Sequence, residues 1–239
     1  MKYIGVNSPP IPMDTVVVSI GGSILVPDDD DKDYIVKLAK MLNRISGQVN
    51  LFIVVGGGRI ARYYIKLGRS LGADESYLDE IGIQVTRLNA RMLIIALGDS
   101  AYHVPAERFD EALSAAKNHK IVIMGGTHPG HTTDAVSAML GERAGAVRLV
   151  NATSVDGVYT ADPKKDPKAK RLESMPFERL IEICMKVAPG AGPNVVFDPL
   201  GAKIVARSGI ETRVVQGRDL KELENAILGK KFHGTIIKG

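Results

Sequence analysis

Three glycine clusters in this sequence each follow a short apolar run: Gly21-Gly22 with Ser23 behind them, Gly56-Gly57-Gly58, and Gly125-Gly126 with Thr127 behind them. Glycine lets the backbone come close to a ligand, so that unpaired N–H groups at the start of the next helix face an anion. The third unit is the richest. Residues 121–140 read as a buried strand Ile121–Met124, a glycine turn, a loop stiffened by Pro129, and a helix start with Thr132, Thr133 and Asp134 as N-cap candidates. One glycine turn cradles one phosphate group. Three in a row imply a row of phosphates, as when a triphosphate donor faces a phosphorylated acceptor for in-line transfer.

Other chemistries fit less well. His128, His131 and Asp134 are spaced three apart, as metal ligands can be, but Pro129 and Gly130 keep them off a common helix face and no second cluster completes a coordination shell. No protein-held metal site is expected. Gly56-x-Gly58-x-x-Ala61 is a loose dinucleotide fingerprint, yet the acids that follow, Asp74 and Asp79, fall in or beside helical sequence and not at the end of a second strand. The Gly-x-x-x-x-Gly-Lys-Ser/Thr signature of a P-loop does not occur.

The elements that must position these turns follow from periodicity. Strands are expected over Val16–Ile20, Leu51–Val55, Ile121–Met124, about Ala146–Ala152, Arg213–Gln216 and Gly234–Ile237. Helices are expected over the run holding Ile35, Leu38, Leu42 and Ile45, from near Arg59, over Tyr77–Leu97, over Arg108–Lys117, after Asp134, over Phe177–Val187 and over Asp198–Ser208. Strands alternating with helices give an α/β fold with a mostly parallel sheet and helices on both faces. The long helix has apolar residues on several faces, including Ile83, Leu93 and Ile94, and is expected to form part of a subunit interface. Lys164 to Arg171, punctuated by Asp162-Pro163 and Asp166-Pro167, reads as an exposed hairpin or lid, and Pro189 to Gly192 as a loop.

Composition bounds the partners. Lys plus Arg number 31 against 27 Asp plus Glu, a balance that suits small anionic substrates and not a nucleic-acid backbone. Cys184 is the single cysteine, which excludes an intrachain disulfide, points to a reducing compartment, and reads as a small buried side chain. No stretch resembles a signal peptide or approaches the ~18 apolar residues of a membrane span. A cytoplasmic protein with neither nucleic acid nor membrane as partner is expected. The acidic run Asp28 to Asp31 is a solvated helix entrance, since it lacks the spacing of a calcium loop.

Gly-Gly-Ser after the first strand, Gly-Gly-Gly-x-x-Ala-Arg after the second, the run Gly125 to Asp134, and Val-Asp-Gly-Val-Tyr-Thr-Ala-Asp-Pro from Val155 to Pro163 together resemble the amino acid kinase superfamily. Within it they are most similar to the archaeal-type uridylate (UMP) kinases, with the motifs in order from residue 16 to about 217. The resemblance implies a three-layer α/β/α sandwich, a homohexamer, and phosphorylation of UMP to UDP with ATP and Mg²⁺ in pyrimidine nucleotide (CTP) biosynthesis. It implies one domain over 1–239, with a UMP-binding lobe about 14–150 and an ATP-binding lobe about 151–239.

Carried over by residue, the resemblance places Gly22, Ser23, Gly58, Arg62, Thr153, Tyr159 and Asp162 on ATP. It places Gly57, Asp79, Thr127, His128, Pro129, Gly130, His131, Thr132 and Thr133 on UMP, with Asp79 accepting the ribose hydroxyls and the 127–133 loop wrapping the uracil. Catalytic roles fall to Arg62, Ser23 and Asp134. A planar guanidinium at Arg62 can bridge two phosphates that would otherwise repel. Ser19 departs from the superfamily, much of which has lysine there, and Asp198 stands where amino-acid-phosphorylating relatives also have lysine. A carbamate or amino-acid kinase of the same fold, or a nucleotide-binding regulator or storage protein with a degenerate site, are the alternatives.

Overall fold

In the computed structural model, which describes residues 13–26, 31–161, 166, 168–186 and 197–239, the apolar runs of the sequence form one seven-stranded sheet. Its strands are β1 (Thr15–Ile20), β2 (Asn50–Val55), β3 (Ile121–Met124), β4 (Arg148–Thr153), β5 (Ser174–Met175), β6 (Glu211–Gln216) and β7 (Gly234–Ile237). They lie in the order β3-β2-β1-β4-β6-β7-β5. All pairings are parallel except that of β6 with β7. β1 and β2 are buried from their second residue onward, because both faces of the sheet are covered; such strands read as continuous apolar runs and not as alternating ones.

Nine α-helices and a 3-10 turn at Gly98–Ser100 lie among the described residues: α1 (Gly22–Leu25), α2 (Asp31–Ile45), α3 (Gly58–Ser70), α4 (Glu75–Leu97), α5 (Phe109–Ala115), α6 (Thr133–Ala144), α7 (Phe177–Lys186), α8 (Pro199–Ser208) and α9 (Leu220–Ile227). Successive strand residues point to opposite faces and so divide the core in two. Val16, Val18 and Ile20 of β1 pack with α2, α4 and α9, whereas Val17 packs with α6, α7 and α8. The result is the expected three-layer α/β/α arrangement.

Several sequence expectations change. α9 lies between β6 and β7, where no helix was expected, although Leu220, Leu223 and Ile227 recur at helical spacing behind Asp219, whose side chain caps the Lys221 and Glu222 amides. Ile83, Leu93 and Ile94 are buried in the core and are not free to meet a partner. The exposed aliphatic residues of α4 include Leu88, Met92 and Ile95, at 53%, 39% and 72% exposure, and Tyr77 is exposed near its start. The segment Glu75–Ser100 is also long and apolar enough to cross a membrane by length and composition, contrary to the sequence expectation. In the fold it is a core helix, with Ala90, Leu93, Ile94 and Leu97 packed against the β1-to-β3 side of the sheet.

Candidate active site

The first two glycine turns are locked together at the ends of adjacent parallel strands. The Gly21 amide donates to Ala152 O at 3.1 Å and the Gly56 amide to Ile20 O at 2.9 Å, so the strand ladders run on into the turns. A Cβ on Gly56 would lie 2.8 Å from the Gly22 nitrogen, and one on Gly58 would lie 2.5 Å from the Gly22 carbonyl carbon and 2.7 Å from the Ser23 nitrogen. Gly58 also has φ +63°. Only glycine fits here, for want of space and for backbone conformation alike. At this junction Arg62, on the second turn of α3, donates from Nη2 to Ser23 Oγ at 3.1 Å. Two of the expected catalytic residues therefore meet.

The third, Asp134, is on the first turn of α6, and its Oδ1 accepts from Ser19 Oγ at 3.2 Å. Burial, then the negative charge of Asp198, push its carboxyl up to about 7, against the pull of the Ser19 hydrogen bond. Serine at the position expected to hold lysine thus serves as a neutral donor to this carboxylate. Asp198 caps α8 by accepting from the Leu200 and Gly201 amides at 2.8 and 3.0 Å, and its Oδ2 accepts from Thr132 Oγ1 at 2.5 Å. Thr132 itself caps α6, accepting from the Ala135 amide at 3.1 Å. The Thr132–Asp198 hydrogen bond joins the N-termini of α6 and α8.

The 127–133 loop is open. His128, Pro129, Gly130 and His131 are exposed, and the two histidine rings stand 6.3 Å apart, edge to face. Asp134 turns away to Ser19, so the three possible metal ligands are not brought together. Thr127 is buried, and its Oγ1 has no hydrogen-bond partner among the described residues, which leaves a buried polar atom for a ligand to satisfy. Asp79, on α4, reaches the loop: its Oδ2 accepts from the Gly130 amide at 2.7 Å. A Cβ on Gly56 would lie 3.5 Å from Thr133 Oγ1, so that hydroxyl borders the second glycine turn.

On the other side of β1, Thr153 ends β4, and its carbonyl accepts from the Gly217 amide at 2.8 Å. Tyr159 donates from Oη to Asp156 Oδ1 at 2.8 Å, a hydrogen bond that, with burial, raises the phenol. Burial alone would raise Asp156, but the hydrogen bonds from Tyr159 and His233 outweigh it and hold the carboxyl below its ordinary value. Asp162 lies outside the described residues. The antiparallel bridge of Tyr159 with Arg171 forms the base of the expected hairpin, most of whose tip also lies outside them. Cys184 is buried, donates to Phe197 O at 3.1 Å and is pushed up to about 12 by burial, so it is a packing residue.

Two polar residues on α4 escaped the sequence reading. Asn89 donates from Nδ2 to Gly56 O at 2.9 Å and to Gly57 O at 3.2 Å. Thr86 accepts from the Gly126 amide at 2.7 Å. The signal was their place in phase with the buried Leu93, where an apolar residue would ordinarily stand.

The arrangement offers adjoining backbone-lined turns for phosphate groups, a guanidinium at their junction and a carboxylate beside it. The chain matches the family model described as the amino acid kinase family over residues 14–216. It is 49% identical over 225 residues to the uridylate kinase of Methanospirillum hungatei, covering 94% of this chain and 95% of that protein. With the uridylate kinase of Pyrococcus abyssi it shares 47% identity over 223 residues, covering 93% and 99%. The crystal structure of uridylate kinase from Archaeoglobus fulgidus superposes with a TM-score of 0.85 at 44% identity, over 94% of this chain and 100% of that one. The UMP kinase structure from Bacillus anthracis, at 21% identity over 95% and 97%, shares the fold with a TM-score of 0.77.

Proposed function

The chain belongs to the amino acid kinase family, and from that premise we propose that it is a uridylate kinase, transferring the γ-phosphoryl group of ATP to UMP to give UDP and ADP. The observation that carries this reading is the interlock of the first two turns at Gly22 and Gly58 with Arg62 on Ser23 at their junction. A donor phosphate on one turn and an acceptor phosphate on the next would be held in line, with the guanidinium spanning both. The names of relatives that cover more than nine-tenths of the chain supply the acceptor.

In this reading Gly22, Ser23, Gly58, Thr153, Tyr159 and Asp162 hold ATP. Gly57 holds the UMP phosphate, Asp79 the ribose, and Thr127 to Thr133 the uracil. Arg62 and Ser23 face the transferring group. No general base is required, because the oxygen of a phosphate monoester is already ionised at neutral pH; catalysis is positioning plus electrostatics. The partners of Asp134 and Asp198 are hydroxyls and backbone amides, and two carboxylates in such surroundings suit a hard divalent cation. Mg²⁺ arriving with ATP would be held by Asp134 and would neutralise charge on the transferring phosphoryl group. The first lobe, about 14–150, takes UMP and the second, about 151–239, takes ATP. The enzyme acts in the cytoplasm in pyrimidine nucleotide synthesis and assembles as a homohexamer.

The test is ADP release with UMP and Mg-ATP, run beside a panel containing carbamate, amino acids and other nucleoside monophosphates. UDP formation with UMP as the best acceptor is expected. Turnover of carbamate or an amino acid in preference to UMP, or none with any acceptor, would overturn the proposal.

A further inference from the structure

The proposed acceptor site is built on turns from two different strands, and both are held from behind by one face of α4. Asp79, Thr86 and Asn89 lie seven and three residues apart, which at 3.6 residues per turn keeps all three within about 80° of arc. In that order along the helix they meet the tip of the acceptor loop at Gly130, its first turn at Gly126, and the phosphate turn at Gly56 and Gly57. Thr86 and Asn89, 6% and 2% exposed, can offer a substrate little surface of their own. Their contacts are with backbone that can touch one.

Asn89 fixes which way the phosphate turn faces. In a planar trans peptide the C=O and the following N–H point in opposite directions, and none of the described peptide bonds is cis. With the Gly56 and Gly57 carbonyls drawn back to Asn89, the amides of Gly57 and Gly58 point away from α4. The phosphate turn as a whole lies against Gly22 of the first turn, where an added Cβ would overlap both the Gly56 oxygen and the Gly58 nitrogen.

Thr86 fixes the start of the base loop. Its hydroxyl accepts from the Gly126 amide and donates to Ile83 O at 2.6 Å, so the proton position is set by the helix. Arg87 holds the next peptide unit, on the other side of the Gly126 Cα, donating from Nε to Gly126 O at 3.4 Å. A Cβ on Gly125 would lie 2.5 Å from Thr86 Oγ1 and 2.8 Å from the Arg87 nitrogen, so the third turn rests directly on α4 with no side chain between.

We infer that Thr86 and Asn89 are positioning residues of the acceptor site, through which α4 sets the separation and orientation of the phosphate turn and the base loop. The identity of the acceptor as UMP rests on the proposed function; the placement does not. An acceptor held at both ends feels this register, whereas ATP, seated across β1, does not feel Thr86.

The experiment compares Thr86→Val, which keeps the shape and loses the hydroxyl, with Thr86→Ser, which keeps the hydroxyl, following KM for each substrate, kcat and Tm. Thr86→Val should raise the KM for UMP about 10-fold and leave the KM for ATP within about twofold, and Thr86→Ser should recover most of the loss. Asn89→Asp, which sets an acceptor against two carbonyls, should raise the UMP KM and lower kcat; if it does not fold, the Thr86 pair decides alone. An unchanged UMP KM in Thr86→Val, or UMP and ATP KM values rising together with a fall in Tm, overturns the inference. Wild type is assayed first. Absence of UDP there sinks the proposed function and takes this inference with it, whereas normal wild-type turnover with unaltered Thr86→Val kinetics sinks the inference alone.

Discussion

Ser19 Oγ donates to Asp134 Oδ1 across 3.2 Å, joining residues 115 positions apart at the floor of the candidate site. The hydrogen bond favours the ionised acid, but burial and the charge of Asp198 outweigh it and lift the carboxyl from 3.8 to about 7. An acid with a raised pKa in the fold binds its proton more tightly there than in the unfolded chain. Its contribution to stability is therefore greatest below the unfolded value and is lost as pH rises to about 7.

Asp134→Asn removes that loss, because the amide stays neutral and can still accept from Ser19. The variant should be more stable than wild type at pH 8 by about 2 kcal/mol, after discounting for the half-open position of the group, and about equal to it near pH 4. Turnover should fall by about 100-fold or more, since the carboxylate is proposed to hold the metal. Thermal unfolding at both pH values checks this, and a pH-independent difference in Tm would remove the charge argument.

Arg62 donates to Ser23 on an exposed surface at the junction of the two turns. Arg62→Ala should lower kcat/KM about 100-fold, roughly 3 kcal/mol of charge-assisted contact with the phosphates, while Tm changes by no more than a degree or two. Near-normal turnover in this variant would mean that Arg62 does not span donor and acceptor.

Leu88, Met92 and Ile95 form an exposed apolar stripe on α4 at helical spacing. Ile95→Lys places a charge on the most exposed of the three and should shift the assembly toward smaller species, measured by light scattering at micromolar concentration. A wild-type monomer under those conditions, or an Ile95→Lys variant with unaltered mass, would show that the subunits do not meet through this face.

The contrast between these residues and the core of α4 marks what the sequence could convey. β2 and β3 were legible because strands covered on both faces read as unbroken apolar runs, β1 and β4 because theirs are broken only at Ser19 and Asn151, and the glycine turns because each follows such a run. The faces of α4 were not, since apolar residues surround that helix and hydropathy alone could not separate buried Leu93 from exposed Ile95. β5, two residues long, carries no period at all, whereas α9 had one that was passed over. The types of Thr86, Asn89 and Ser19 gave no hint of partners dozens of residues away. Tertiary contacts alone give these polar side chains their meaning.

Asp79 is where the identity of the acceptor can be asked, because backbone turns bind any phosphate and only contacts to sugar and base distinguish UMP. In the fold its Oδ2 holds the Gly130 amide, which places the carboxylate at the edge of the acceptor loop. If it also accepts hydrogen bonds from the ribose hydroxyls, Asp79→Ala should weaken use of UMP by about 1.5 to 3 kcal/mol and leave the KM for ATP nearly unchanged. Loss of the loop contact alone would lower kcat/KM for UMP and dUMP by the same factor. Loss of a 2′-hydroxyl contact would not: wild type should prefer UMP over dUMP, and the variant should show less of that preference. A cycle with the enzyme change on one axis and the substrate hydroxyl on the other separates the two roles. A coupling near zero confines Asp79 to holding the loop at Gly130, and a coupling of about 1 kcal/mol or more assigns it to the ribose.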